Sequence, residues 1–99
     1  MTDNDELRFE WDGRKAASNF TKHGVRFETA AEVFNDPYRL EEDDRFAQGE
    51  YRTIIIGHAQ VGILAVVYTE PNQNLIRIIS ARRATPVERR TYDHNRLHP

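Results

Sequence analysis

Three apolar, β-branched runs set close together limit what this chain can become. Tyr51–Ala59, Ile63–Thr69 and Leu75–Ala81 are separated only by the turn-type segments Gln60–Gly62 and Pro71–Asn74. Connections that short join antiparallel neighbours, because a parallel pair needs a crossover of a dozen residues or more. The runs therefore predict an antiparallel meander. Ile63–Thr69 is apolar nearly throughout and suits a central strand covered on both faces. In Leu75–Ala81, simple alternation puts Ile76, Ile78 and Ser80 on one face and Leu75, Arg77, Ile79 and Ala81 on the other.

What surrounds the meander is mostly helical. Leu7, Phe9 and Trp11 alternate with polar residues and predict a short strand. Asp12 is a fair N-cap for a helix over 13–23, ended by Gly24 at the position that favours a left-handed backbone. Ala16, Ala17 and Phe20 are its expected buried stripe. Phe27, Ala30, Ala31 and Phe34 are spaced for a second helix, which Asn35-Asp36-Pro37 must stop. Tyr38–Leu40 reads as extended, and the acid run Glu41–Asp44 as loop or exposed strand end. Thr85, Pro86 and Glu88 form a capping box with proline at the first helical position, starting a last helix that runs to 95 or 96. Its expected docking residues are Val87, Thr91 and Tyr92. The order is β-α-α-β-β-β-β-α, an α+β domain with helices packed on the sheet.

Ninety-nine residues make one domain, 1–99, with 1–6 and 97–99 expected to be loosely held. The absence of cysteine excludes disulfides, thiolate metal sites and cysteine nucleophiles. Acidic residues at the N-terminus, with no apolar stretch behind them, do not make a signal peptide, and the longest apolar runs are too short for a bilayer. The expectation is a cytoplasmic protein with no membrane partner. The net charge of −2 conceals an asymmetry: residues 1–50 carry seven basic and thirteen acidic residues, and 51–99 carry seven basic and three acidic. Twelve of the fourteen basic residues are arginine, whose planar fork of donors suits phosphate and carboxylate. The second half is thus open to a nucleic-acid reading that the whole-chain pI of 6.1 would not support.

An ordered set of motifs resembles a known family. Phe9-Glu10-Trp11-Asp12 leads into Lys15-Ala16-x-x-Asn19 and Lys22-His23-Gly24-Val25-x-Phe27-x-x-Ala30. Then come Phe34-x-Asp36-Pro37, Glu50-x-Arg52, Ile56-Gly57, Val66-Val67-Tyr68-Thr69, the string Ile76–Arg82, and Glu88-Arg89 before Tyr92. Together, over residues 8–92, they resemble the BrnT toxins of bacterial type II toxin–antitoxin systems. The chain departs from the common pattern at Ile63 and in the turn Glu70–Asn74. The resemblance implies a RelE-like fold and a ribonuclease that shuts down translation. It also implies neutralisation by a BrnA antitoxin, whose ribbon-helix-helix part binds the operon's promoter DNA.

Metal-independent RNA cleavage needs a base for the 2′-hydroxyl, cations for the charge gathering on phosphorus, and an acid for the leaving 5′-oxygen. Arg77, Arg82 and Arg83 are the candidates for the cationic part, and His23 is the candidate proton carrier. Lys22, Arg52, Tyr68 and Arg89 are candidate RNA contacts. Each has a plainer reading. Arg77 can pair with an acid on the sheet face, and Arg82 and Arg83 can be solvated or clamp the antitoxin. Lys22 and His23 suit a helix C-terminus on dipole grounds alone. Tyr68 and Trp11 can be core aromatics, and the cap explains Glu88. Arg77 and Arg82 lie an odd number of residues apart, so they share a face only if the strand is interrupted. Glu70 is a possible base if it faces Arg77, and His58 reads as a turn residue. Of the four histidines only His94 and His98 stand at helical i, i+4 spacing, with no carboxylate set beside them, so no metal or cofactor is expected. The rival function is a non-catalytic module whose arginine-rich half binds protein or nucleic acid without cutting it.

Overall fold

The computed structural model describes residues 6–47 and 49–99. The loose N-terminal segment expected at 1–6 therefore falls outside the described residues except for Glu6, which is exposed.

The elements follow in the expected order: β1 (Arg8–Glu10), α1 (Gly13–His23), α2 (Phe27–Ala30) running into a 3₁₀ turn (Ala31–Asn35), β2 (Leu40–Ala47), β3 (Glu50–Ala59), β4 (Gly62–Asn72), β5 (Leu75–Arg83) and α3 (Pro86–Leu97). One five-stranded sheet has the order β1-β5-β4-β3-β2. Strands β2 to β5 form an antiparallel meander, and β1 returns to pair β5 in parallel, with Phe9 beside Ile76 and Glu10 beside Arg77.

Both faces of the sheet are used, unequally. Val25, Phe27, Ala30, Val33 and Phe34 cover one face, packing on Ile55, Leu64, Val66, Tyr68, Ile76, Ile78 and Ala81. Phe34 meets Phe9 and Tyr68 edge-on, with ring centroids 5.3 and 4.9 Å apart, and Trp11 meets Phe27 at 5.8 Å, which makes Trp11 a core aromatic. The other face has a smaller apolar cluster where α3 lies, of buried Ile56, Ala65 and Tyr92 with partly buried Leu40, Ile54 and Ile63 packed against it. The rest of that face carries polar side chains, Arg77, Ser80 and Arg82 among them.

Several local expectations need correction. Of the two readings of the acid run, the exposed strand holds and the loop does not: Glu41, Glu42 and Asp43 are paired with Ile55, Ile54 and Thr53 as part of β2, because alternation leaves an edge strand free to carry exposed charge. The second helix tightens after one turn into 3₁₀ geometry. There Val33 sits on Gly57, where a Cβ would lie 3.0 Å from Val33 Cβ and 3.2 Å from Val33 O. The buried residue of α1 is Asn19, whereas Phe20 is 43% exposed and stacks under Arg26. Val87 and Thr91 of α3 are exposed, and Tyr92, 3% exposed, is the side chain that docks.

Asn19 explains why α1 lies where it does. Past Arg77, β5 has no strand neighbour on its β1 side, and α1 fills the place. Asn19 Nδ2 donates to the carbonyls of Ala81 and Val25, at 2.8 and 3.0 Å, and Oδ1 accepts from the Ala81 N–H at 3.0 Å. One amide thus satisfies both backbone groups of a residue that would otherwise be buried and unpaired.

Candidate nucleic-acid interface

The site begins with an interruption in β5. Ile78 pairs with Tyr68, but Ser80 pairs with Val67, so Ile79 is an extra residue and β5 bulges there. The bulge reverses the alternation after Ile78. Ala81 therefore joins Ile76 and Ile78 in the main core, while Ser80 and Arg82 turn to the face that carries Arg77. The odd spacing of Arg77 and Arg82, which in a regular strand separates them, here puts them together on one face.

Register builds that face in rows. Ile56, Ala65 and Arg82 form one row, Ile54, Val67 and Ser80 the next, and Thr69 and Arg77 the third. Alternation from Ile54 puts Arg52 on the same face, next to Thr69. Backbone positions of Arg77 and Arg82 are four strand residues apart along β4, roughly 13 Å. Among the described residues two buried polar atoms, Arg52 Nε and Thr69 Oγ1, have no hydrogen-bond partner. Along the chain, a threonine in an apolar strand such as Thr69 reads as a β-former; its signal lies in the register.

The arginines are held rather than loose. Arg77 Nε donates to Glu10 Oε2 at 2.6 Å. Arg82 forms a two-pronged pair with Glu88, Nη1 to Oε1 at 2.8 Å and Nη2 to Oε2 at 3.0 Å. Glu88 also accepts from the Thr85 N–H at 2.8 Å, completing the capping box. The cap thus orients the carboxylate that orients Arg82. That contact draws the Glu88 carboxyl below its ordinary value, and the same contact raises Arg82 above its own. A guanidinium has five N–H donors, so one carboxylate partner does not exhaust it. Neither acid partner was assigned this role from sequence. Glu10 is reached only through the parallel β1–β5 pairing, which no local pattern announces.

The remaining candidates divide. Lys22 and His23, in the last turn of α1 before Gly24 (φ 69°), line a hollow of about 180 Å³ with Lys15, Ser18, Asn19, Ile79 and Ser80. The helix end and the bulge are therefore neighbours, and the bulge joins this basic hollow to the Arg77–Arg82 face. Arg83 turns away and donates to the Val61 carbonyl at 2.7 Å, closing the β3–β4 turn. Arg89 is exposed on α3. Tyr68, considered as an RNA contact, is 7% exposed in the main core with its hydroxyl on Glu41 Oε1 at 3.3 Å, so its ring face is not offered to a base. Burial pushes that hydroxyl up to about 12, with Glu41 and Glu70 adding to the effect. Glu70 does not contact Arg77; its carboxylate accepts from the Asn74 N–H at 3.1 Å.

On the same face, beside the Ile56–Ala65–Arg82 row, α3 is fastened through Asp36. Its Oδ2 accepts from the Tyr92 hydroxyl and the His58 N–H, and its Oδ1 from the Tyr38 N–H. Burial acts to raise the Asp36 pKa, but these donors outweigh it and hold the group below the ordinary value. Burial, then Asp36, raises the Tyr92 hydroxyl. Among the described residues no three His, Asp or Glu side chains gather as a metal site, and no helix is long and apolar enough to cross a membrane.

Comparison with known proteins finds both a family and a solved structure that this chain is similar to. A family model described as the ribonuclease toxin BrnT of type II toxin–antitoxin systems matches residues 11–88. The 1.1 Å crystal structure of the Brucella abortus ribonuclease toxin BrnT superimposes with a TM-score of 0.61 at 25% sequence identity, covering 80% of this chain and 97% of that one. No curated protein sequence matches.

Proposed function

The chain belongs to the BrnT family of ribonuclease toxins of type II toxin–antitoxin systems, and we propose that it cuts RNA without a metal ion on the bulged face of β5. The substrate's own 2′-hydroxyl attacks the adjacent phosphorus as its proton passes to a base. The P–O5′ bond breaks and the 5′-oxygen takes a proton. The products are a 2′,3′-cyclic phosphate and a 5′-hydroxyl. Arg77 and Arg82 hold the phosphate and the negative charge that grows on its non-bridging oxygens. Lys22 and His23, across the bulge, approach the same strand of RNA, with His23 as the proton carrier. Arg52, Arg83 and Arg89 extend the positive surface. Cleavage of cellular RNA stops translation in the cytoplasm. A BrnA-like ribbon-helix-helix antitoxin neutralises the toxin and carries it to promoter DNA.

The observation that carries this reading is the bulge at Ile79, which gathers Arg77, Ser80 and Arg82 on one face beside Lys22 and His23. The test is purified toxin, freed of antitoxin, incubated with RNA in EDTA. Fragments ending in 2′,3′-cyclic phosphate are expected. Binding without cleavage would favour the non-catalytic module, a reading that the Glu10 and Glu88 ion pairs on the two central arginines support.

A further inference from the structure

The two borders of the sheet are finished differently. On the β5 side, β1 and then α1 cover the strand, and Asn19 takes the last backbone groups. On the other side β2, eight residues from Leu40 to Ala47, pairs among the described residues with β3 alone. The outer row of N–H and C=O groups on such a strand is a template for another extended chain.

From this open border and its charge we propose that β2 is the docking edge for a basic, extended segment of a protein partner, added to the sheet as a sixth strand. Glu41, Glu42 and Asp43 are exposed along it. By register Glu42 lies on the face of Ile54, and Glu41 and Asp43 on the face of Ile55 and Thr53. Glu41 is already paired with Arg39 at 3.4 Å, but a strand laid alongside would meet Glu42 on one face and Asp43 on the other, so lysine or arginine on either face finds an opposite charge. The acidic character continues inward, where Glu50 and Glu70 line a hollow of about 290 Å³ with Tyr51, Tyr68 and Thr69.

The same charge excludes two other occupants. A second copy of this chain paired through β2 would set acids against acids, and RNA would set phosphates against them. The edge is three strand spacings from β5, roughly 14 Å, so a segment seated there leaves the arginine face uncovered. The inference rests on the toxin–antitoxin reading for its partner, which is then the antitoxin, but the edge can be tested without it.

The probe is a labelled octapeptide of alternating lysine and valine, with alternating glutamate and valine as control, titrated into the full chain by fluorescence anisotropy. Only the basic peptide is expected to bind, more weakly at high salt, and to slow amide exchange in Leu40–Ala47. The E42K/D43K double variant should bind at least about tenfold more weakly, and E42Q/D43N should fall between. Both substitutions are at exposed positions, and melting curves check that the fold survives. No binding, binding that leaves β2 exchange unchanged, or binding that survives charge reversal overturns the proposal and leaves the acids and the bulge between Asp43 and Arg45 as guards of an open edge. RNA cleavage measured in the same samples reports separately: its absence with peptide binding intact removes the ribonuclease reading alone.

Discussion

The hydroxyl of Tyr92 donates a 2.5 Å hydrogen bond to Oδ2 of Asp36, 56 positions earlier in the chain, and this contact fastens α3 to the segment that follows the 3₁₀ turn. Ile56 and Ala65 are the buried partners of the Tyr92 ring, with the partly buried Leu40, Ile54 and Ile63 packed around them. Among the described residues Tyr92 is the buried side chain of the helix, so its docking depends strongly on that residue. Tyr92→Phe keeps the ring and removes the bond, leaving Asp36 with two donors. Bonds to a charged acceptor contribute roughly 1.5–3 kcal/mol, and chemical denaturation should show a loss of that size. An unchanged midpoint would mean that ring packing alone docks the helix.

The same pair predicts a pH profile. Asp36 has a folded pKa below its ordinary 3.8, so its contribution is complete above that value and disappears as pH falls through the lower folded one. Glu88 acts in the same direction from 4.5. Tyr92 is raised above 10.0, so its contribution is complete below 10.0 and declines as pH rises toward the raised value. Unfolding midpoints should therefore hold level between the two limits and fall on both sides. Tyr92→Phe should flatten the alkaline limb, and an identical limb in the variant would assign the fall to Tyr68 instead.

Asn19→Leu keeps the volume but orphans the N–H and C=O of Ala81 and the carbonyl of Val25. Each buried unpaired group costs roughly 1–3 kcal/mol. The variant should melt far below the parent, with amide exchange at Ala81 accelerated first.

Arg77→Ala and Arg82→Ala should each lower RNA cleavage by about 10²-fold or more, the cost of one lost transition-state donor, and relieve growth arrest. Their ion pairs are partly exposed, so screening keeps the stability change within about 1 kcal/mol. Antitoxin binding should persist. Full toxicity of both variants would end the assignment of these arginines.

Gly57→Ala would press a methyl to 3.0 Å from Val33 Cβ and 3.2 Å from its carbonyl oxygen. Since the oxygen belongs to the backbone, the 3₁₀ turn must shift. A loss of roughly 1–3 kcal/mol is expected, read as a lower melting temperature with RNA cleavage per folded molecule retained.

Local pattern was enough for the element order, the capping box at Thr85–Glu88 and the glycine end of α1, because each depends on residues within a turn of one another. It had the inward sides of α1 and α3 in part: Ala16 and Tyr92 do pack inward, but Phe20 and Val87 are exposed. The facing surfaces present the backbone of Ala81 and the carboxylate of Asp36, which the Asn19 amide and the Tyr92 hydroxyl answer.

The meander, the flanking helices and an arginine-rich second half following an acidic first half are all legible along the chain, since alternation, turn chemistry and composition are properties of neighbouring residues. That Arg77 and Arg82 share a face, that Glu10 and Glu88 are their partners, and that the acids of β2 lie on the far border of the sheet all depend on how distant segments come together. A bulge is defined by the opposing strand and an edge by the strand that is missing beside it, and neither is a property of the segment that contains it.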